Sequence, residues 1–182
     1  MKLLLHMCCA PCSVYPISVI RDENIEFEGL FYNPNIHPIE EFNRRKENVG
    51  ILSRALNFSV VYSDDFMQQE WEAFKGSDEE RCFFCYSTRL YKVASYAAEN
   101  GFDSFTTTLL VSPYQKHDII KEISQKAAQK YGVDFYYRDF RPGFRQGQQQ
   151  AKEMGLYRQK FCGCIVSYEE AKSRSKKPLS NI

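Results

Sequence analysis

The 182-residue sequence has no apolar run that approaches the roughly 20 residues needed to cross a bilayer, so a membrane-spanning helix is excluded. It also has no internal repeat, no low-complexity segment and no linker rich in Pro, Gly or Ser. We therefore predict a single domain over residues 1–182. The apolar stretch at residues 3–5 is far too short for a secretion signal. We expect a cytoplasmic chain that does not contact a membrane and whose thiols stay reduced unless a metal or a catalytic cycle uses them.

The seven cysteines are the distinctive feature of the composition, because they occur in three close groups. The groups are Cys8, Cys9 and Cys12, then Cys82 and Cys85, then Cys162 and Cys164. Seven of 182 residues are too few for a protein built on disulfides, and an odd number leaves no closed set of pairs. Three such groups in a reducing compartment indicate metal or redox chemistry.

Apolar runs and turn residues alternate along the chain and predict five strands with helices between them. The strands are expected at residues 2–6, 27–32, 58–62, 104–107 and 134–137. The helices are expected at residues 14–22, 39–56, a short stretch ending at 74 and capped by Asp64 or Asp65, 80–100, 116–131, 146–154 and 167–173. This alternation predicts an α/β fold with a mostly parallel sheet covered on both faces. Because ligands bind at the carboxyl ends of parallel strands, the cysteines that follow the first strand fall where such folds place their chemistry.

The spacing of the cysteines suits thiolate ligands. Cys82 and Cys85 lie on one side of a predicted helix near its amino end, where the helix dipole stabilises thiolates. Three readings stay open: a four-thiolate zinc site, an iron–sulfur cluster, or a metal-free thiol oxidoreductase. The residues favour iron–sulfur over zinc, because a zinc ion would leave three cysteines without a role.

Charge is distributed unevenly along the chain. Residues 138–182 hold ten Lys or Arg against four Asp or Glu, a net of +6, whereas residues 1–137 have a net of −5. In the basic region, arginines alternate with aromatic residues, a pattern that suits phosphate contact combined with base stacking on RNA. The predicted RNA-contact residues are Arg141, Arg145, Arg158, Phe144 and Tyr157.

Six motifs then occur in an order that identifies a family. They are HMCCAPC at residues 6–12, YNPNIHP at 32–38, RCFFCY at 81–86, TLLVSPY at 108–114, RPGFR at 141–145 and GLYRQKFCGC at 155–164. Together, from about residue 3 to residue 167, they resemble the cobalamin-independent epoxyqueuosine reductases, the QueH family.

This resemblance implies the last step of queuosine synthesis, in which the epoxide of epoxyqueuosine at the wobble position of tRNA is reduced to an alkene. It implies a Rossmann-like fold of the nucleotide alpha-hydrolase (HUP-like) group, a [4Fe-4S] cluster and a second adjacent metal ion, expected to be iron. The partners it implies are the tRNA anticodon stem-loop and an unidentified electron donor. Relatives in that fold group bind ATP through a Gly-rich or Ser-rich loop after the first strand. Residues 7–13 contain no glycine, so we expect metal ligation there instead.

On this hypothesis all seven cysteines are metal-ligand candidates. Cys82 and Cys85 hold the cluster with members of the first group, Cys8, Cys9 and Cys12. Cys162 and Cys164 complete it, bind the adjacent metal, or act as a catalytic thiol pair. Tyr114, His37 or a metal-bound water donates the proton to the leaving oxygen. The competing interpretation is a zinc-stapled RNA-binding domain without catalysis. A tRNA sulfur-transfer enzyme of the same fold is disfavoured by the missing phosphate-binding glycines.

Overall fold

Five strands form one sheet in the computed structural model, which describes residues 1–175. They are β1 (Lys2–His6), β2 (Glu26–Phe31), β3 (Val60–Tyr62), β4 (Ser104–Thr107) and β5 (Asp134–Phe135), in the spatial order β3-β2-β1-β4-β5. All four strand pairings are parallel, which confirms the predicted sheet. β3 and β5, at the two edges, are two residues shorter than predicted.

Seven helices surround the sheet within residues 1–175. They are α1 (Ala10–Asp22), α2 (Ile39–Leu56), α3 (Gln68–Ala73), α4 (Asp78–Glu99), α5 (His117–Tyr131), α6 (Phe144–Glu153) and α7 (Ile165–Ser175). Successive side chains of the central strand β1 point to opposite faces. Leu3 and Leu5 share a core with residues of α1, α2 and α6, whereas Leu4 packs with residues of α4 and α5. The three-layer α/β architecture is therefore confirmed, and none of these helices is long and apolar enough to span a membrane.

The starts of α1 and α3 differ from the prediction. α1 begins at Ala10 and not at residue 14, because Pro11 occupies its first turn, where a missing backbone N–H costs nothing. Cys12 is therefore on a helix and not in a loop. The residue before α3 is Met67, so neither Asp64 nor Asp65 caps it; the Asp65 carboxylate instead accepts a hydrogen bond from the Ser63 hydroxyl.

The amino end of α4 is fixed by a capping box. The Ser77 hydroxyl accepts a hydrogen bond from the Glu80 backbone N–H, and the Glu80 carboxylate accepts one from the Ser77 backbone N–H. This cap places the helix start at Asp78, two residues before the predicted start. Cys82 and Cys85 consequently fall in its second turn, still on one side of the helix.

The strand order places a topological switch point beside β1. From β1 the chain first builds β2 and β3 on one side and then returns to build β4 and β5 on the other. The segments that follow β1 and β4 therefore start side by side at the carboxyl edge of the sheet and continue into α1 and α5, which pack on opposite faces. In open parallel sheets the crevice at such a point binds the ligand.

Tyr15 on α1 packs directly against Gly143, the residue before α6, because glycine has no side chain. A Cβ there would lie 2.1 Å from Cζ of the Tyr15 ring. We expect Gly143→Ala to lower the free energy of unfolding by about 1–3 kcal/mol through overpacking, measured by urea denaturation. The control is Gly50→Ala inside α2, where the added methyl has room and removal of a helical glycine is expected to stabilise by about 0.5–1 kcal/mol. Equal stability of the two variants would contradict the packing described.

Candidate metal centre

The segment after β1 and the short 3-10 helix after β4 (Thr108–Val111) meet at the switch point. The Cys8 backbone N–H donates to the Thr108 hydroxyl oxygen at 3.0 Å, and that hydroxyl donates to Cys8 Sγ at 3.2 Å. One threonine therefore fixes both the backbone and the sulfur of the first cysteine. This contact joins residues a hundred positions apart and holds the first cysteine group at the carboxyl edge of the sheet.

Three sulfurs come together here. The Sγ atoms of Cys8, Cys9 and Cys12, hereafter the trio, all lie within 4.8 Å of one another, and those of Cys8 and Cys9 are 3.8 Å apart. Cys9 immediately precedes α1 and Cys12 lies in its first turn, so all three sulfurs lie at the positive end of the helix dipole. Within residues 1–175 this is the only group of three or more His, Cys, Asp or Glu that could hold a metal ion.

The protonation equilibria of the trio are strongly linked. Hydrogen bonds from the Cys12 and Cys9 thiols hold the pKa of Cys8 well below its ordinary value. Burial raises the pKa of Cys9, and the hydrogen bonds of Cys12 to Cys8 and Cys9 raise that of Cys12. Ionisation of one of these thiols therefore opposes ionisation of the other two. Three thiolates at this spacing need a cation between them, so the donor set fits a thiophilic metal centre.

The other four cysteines lie within electrostatic range of one another. Cys82 packs in the same apolar cluster as the trio, whereas Cys85 and Cys164 pack with Trp71. Burial raises the pKa of Cys85 to about 12, and the nearby sulfurs of Cys162, Cys164 and Cys82 oppose its ionisation further. Within residues 1–175, no three of these four sulfurs lie within metal-ligand spacing of one another. No pair of them joins the trio within metal-ligand spacing among the residues described.

Arg89 connects the two sets of cysteines. It is buried on α4, and its guanidinium donates to Cys85 Sγ at 3.3 Å. Burial opposes its charge, but the nearby sulfurs of Cys85, Cys162 and Cys8 raise the pKa of the guanidinium. A buried arginine that faces three cysteines supplies the positive potential that thiolates or a reduced inorganic group require.

A cavity of about 470 Å³ opens above the sulfurs. Cys8, Cys12 and Cys162 line it, so members of two of the three cysteine groups face one space. Arg45 and Arg89 contribute to the walls, and the volume falls within the range of small-molecule sites. The cavity therefore combines sulfur ligands with room for a substrate.

Comparison with known proteins decides the family. The family model for "Epoxyqueuosine reductase QueH" matches residues 3–170. The chain belongs to the QueH family. An epoxyqueuosine reductase QueH of Thermotoga maritima is 36% identical, over 94% of this chain and 93% of that protein. One of Dehalococcoides mccartyi is 33% identical over 97% and 98%. The prediction of an oxidoreductase is thereby confirmed.

Solved structures resemble this QueH chain in fold alone. A deacetylase–teicoplanin complex superposes with a TM-score of 0.53 at 9% identity, covering 98% of this chain and 93% of the other. A predicted tRNA methyltransferase subunit from Methanocaldococcus jannaschii gives 0.50 at 12% identity, covering 97% and 90%. Both likenesses support the predicted Rossmann-like, HUP-related architecture.

The two candidate proton donors of this QueH chain occupy different environments. His37 is fully buried; its Nε2 faces the Pro34 carbonyl at 2.9 Å, and its Nδ1 accepts the Ile165 backbone N–H at 3.1 Å. Both ring nitrogens are therefore occupied in joining the Pro-rich loop to the segment after Cys164. Tyr114 is 84% exposed and lines the cavity. Of the two side chains, only the Tyr114 hydroxyl is free to reach a substrate.

Only one of the five predicted RNA-contact residues lines the cavity. That residue is Phe144, which the exposed Arg145 follows directly. The exposed Arg158 donates to Gln148, another residue of the cavity wall, at 3.4 Å. Arg141 is paired with Asp139 at 2.7 Å. Tyr157 is less free than its pattern suggests: its hydroxyl donates to Glu41, and the Arg44 guanidinium covers its ring at 3.9 Å. The end of the predicted basic region, residues 176–182, lies outside the described residues.

Several side chains that hold the cysteines do not stand out in the sequence. They are Arg45, Arg89, Thr108, Gln115 and Gln159. Gln115 donates to Cys162 Sγ at 3.4 Å, and Gln159 donates to Cys9 Sγ at 3.1 Å. Of these five residues, only Arg89 could have been recognised from the sequence, because it lies four residues after Cys85 and therefore on the same helix face. Lys160 and Arg174 also line the cavity, although the sequence pattern placed them outside the predicted contact set.

Proposed function

We propose that this chain reduces the epoxide of epoxyqueuosine at the wobble position of tRNA to the alkene of queuosine. Both carbon–oxygen bonds of the epoxide break, two electrons and two protons enter, and the oxygen leaves as water. The observation that carries the proposal is the trio of sulfurs, of which Cys8 and Cys12 line a substrate-sized cavity, in a chain of the QueH family.

The thiols present suit an iron–sulfur centre. We propose that members of all three cysteine groups hold a [4Fe-4S] cluster and an adjacent iron ion, with Cys162 and Cys164 nearest the second site. When bound, these groups supply the electrons and a Lewis-acidic site for the epoxide oxygen. The surrounding protein contributes the positive charge of Arg89 and hydrogen-bond donors to the sulfurs, from Thr108, Gln115 and Gln159.

The direct test is conversion of the nucleoside. The anaerobic iron-loaded protein is mixed with tRNA that carries epoxyqueuosine and with dithionite as the electron source. Mass spectrometry of the digested tRNA is expected to show loss of one oxygen atom at the modified base. Unchanged epoxyqueuosine with an iron-loaded, folded protein would contradict the proposal.

Tyr114 is proposed as the proton donor to the leaving oxygen. Tyr114 lines the cavity, and its ring packs edge-on against Phe144 at 5.8 Å between centroids. Tyr114→Phe is expected to keep the iron content and to lower turnover by about 10²–10⁴-fold, the usual contribution of a general acid. The matched control is Tyr137→Phe, since that exposed tyrosine contacts His117 and does not line the cavity. A variant at position 114 as active as the control would exclude the role.

The tRNA anticodon stem-loop is proposed to bind along a basic rim of the cavity, formed by Lys160 and Arg174 with Arg158 beside them. Exposed Arg158 and Lys160 lie on either side of Gln159, and Lys160 and Arg174 line the cavity. Cationic side chains of this kind contact phosphates without reading sequence. We also propose that a separate protein or small molecule donates the electrons and that the reaction takes place in the cytoplasm.

Salt dependence tests this rim. Lys160→Ala is expected to weaken tRNA binding and to reduce the slope of log affinity against log salt by about 1, as expected for one lost phosphate contact. Lys126→Ala is the control, because that exposed lysine lies on α5 and pairs with Glu122. Identical salt slopes for the two variants, measured by filter binding, would place the RNA elsewhere.

A further inference from the structure

Gln159 reaches the trio from a distant part of the chain. Its side-chain amide nitrogen lies 3.1 Å from Cys9 Sγ and 3.7 Å from Cys12 Sγ. The residue is half-buried, between exposed Arg158 and exposed Lys160. In this segment, which is neither helix nor strand, half-buried and exposed residues alternate, and Gln159 is the half-buried one that contacts sulfur.

The segment that carries Gln159 is held on both sides. Before it, the Tyr157 backbone N–H donates to Asn48 Oδ1 at 2.8 Å. After it, the Arg45 guanidinium donates to the carbonyls of Phe161 and Cys162, each at 3.0 Å. These anchors fix the distance between the backbone and the trio, so the amide is placed by the fold and does not sample the cavity freely.

The Gln159 amide is oriented so that its oxygen has no hydrogen bond in the part of the chain that the structure describes, and the neighbouring sulfurs explain this orientation. Gln159 Oε1 is buried and has no hydrogen-bond partner within residues 1–175. A buried unpaired oxygen is unfavourable. Metal-bound thiolates carry no proton, so only the N–H end of an amide can face them favourably. The side chain therefore keeps its N–H on the sulfurs and leaves its oxygen unpaired.

We propose that Gln159 is a positioning residue for the metal centre, whose amide N–H donates to the Cys9 and Cys12 thiolates and holds them at ligand spacing. The inference rests on the proposed function only in taking these thiolates as metal ligands. Outer-shell hydrogen bonds of this kind orient metal ligands and tune the metal.

The test uses Co²⁺ as the probe. Metal-free, fully reduced protein is titrated with Co²⁺ under anaerobic conditions, and the thiolate-to-metal charge-transfer band is followed. Gln159→Leu is expected to bind Co²⁺ about 10–100-fold more weakly, the usual effect of losing an outer-shell partner. Its band is expected to move to longer wavelength, because a thiolate that loses a hydrogen bond gives up its electrons more easily.

Two further variants sharpen the test. Gln159→Glu keeps the size of the side chain but presents carboxylate oxygens to the thiolates, so it is expected to bind Co²⁺ more weakly than wild type. It also decides the question if the leucine variant does not fold, as judged by circular dichroism. Gln149→Leu is the control, since that exposed glutamine contacts Glu153 and no sulfur, and it is expected to bind like wild type.

The outcomes separate this inference from the proposed function. Wild-type affinity and an unshifted band in both Gln159 variants would overturn the positioning role and leave the reductase proposal intact. Failure of the wild-type chain itself to bind Co²⁺ would overturn both. Weaker binding in the Gln159 variants alone, with the shifted band in a folded leucine variant, supports the inference.

Discussion

Replacement of Cys8 by serine is expected to abolish metal binding and reductase activity together. Cys8 carries the lowered pKa of the trio, and Thr108 holds its sulfur at the cavity wall. Serine keeps the size of the side chain but offers a hydroxyl that does not ionise at neutral pH and is a poor ligand for soft metals. The loss should exceed the roughly 10–100-fold that removal of an outer-shell partner costs. Iron content, visible absorbance and turnover measure it.

A neighbouring sulfur provides the matched control. Met7 directly precedes Cys8 and is fully buried in the core beside Gly29. Met7→Leu removes one sulfur atom from the same segment and is expected to cost less than about 1.5 kcal/mol of stability. Iron content and activity should stay at the wild-type level. Full iron loading and activity in the Cys8 variant would remove the trio from the metal centre.

Replacement of Arg45 by alanine is expected to have the largest effect on stability. The guanidinium is buried, pairs with Glu41 at 2.7 Å, and donates to the carbonyls of Phe161 and Cys162. Its removal leaves a buried carboxylate without its cation and two carbonyls without a donor. Loss of one partner of a buried ion pair costs about 3–5 kcal/mol. We expect a loss of this size in urea unfolding, accompanied by weaker metal retention because the Cys162 segment loses its anchor.

The adjacent arginine separates this effect from a general loss of positive charge. Arg44 is exposed and its guanidinium lies over the Tyr157 ring at 3.9 Å. Arg44→Ala removes the same charge one position away and is expected to cost only about 0.5–1 kcal/mol, the value of an exposed cation–π contact. Similar unfolding energies for the two variants would contradict the anchoring role of Arg45.

Local patterns account for most of the predicted fold. The run Leu3–Leu5 identified the central strand because a strand buried on both faces needs consecutive apolar residues. The errors lie where one residue admits two local structures. The local pattern assigns Pro11 to a loop, but Pro11 lies in the first turn of α1. It also predicts that Asp64 or Asp65 caps α3, although the Asp65 carboxylate bonds to Ser63. Such choices depend on neighbours that a local pattern does not contain.

The residues of the site also fall into two sets, those that the sequence predicts and those that it does not. Spacing and position after the first strand were enough to single out the trio, because the fold class determines where strand ends meet. Thr108, Arg45 and Gln159 were missed because the cysteine sulfurs or carbonyls they contact lie 100 to 150 residues away along the chain. Tyr157 was predicted to stack on RNA from its arginine neighbours, but tertiary contacts with Glu41 and Arg44 already engage it.

The most direct test of a thiolate-held iron–sulfur centre is analysis of the protein purified without oxygen. Iron, acid-labile sulfide and zinc are measured on one sample together with its visible absorbance. The account predicts brown protein that contains iron and sulfide and whose absorbance bleaches with dithionite. Colourless protein loaded with zinc, with no sulfide and no response to dithionite, would contradict it and favour a zinc-stapled RNA-binding domain.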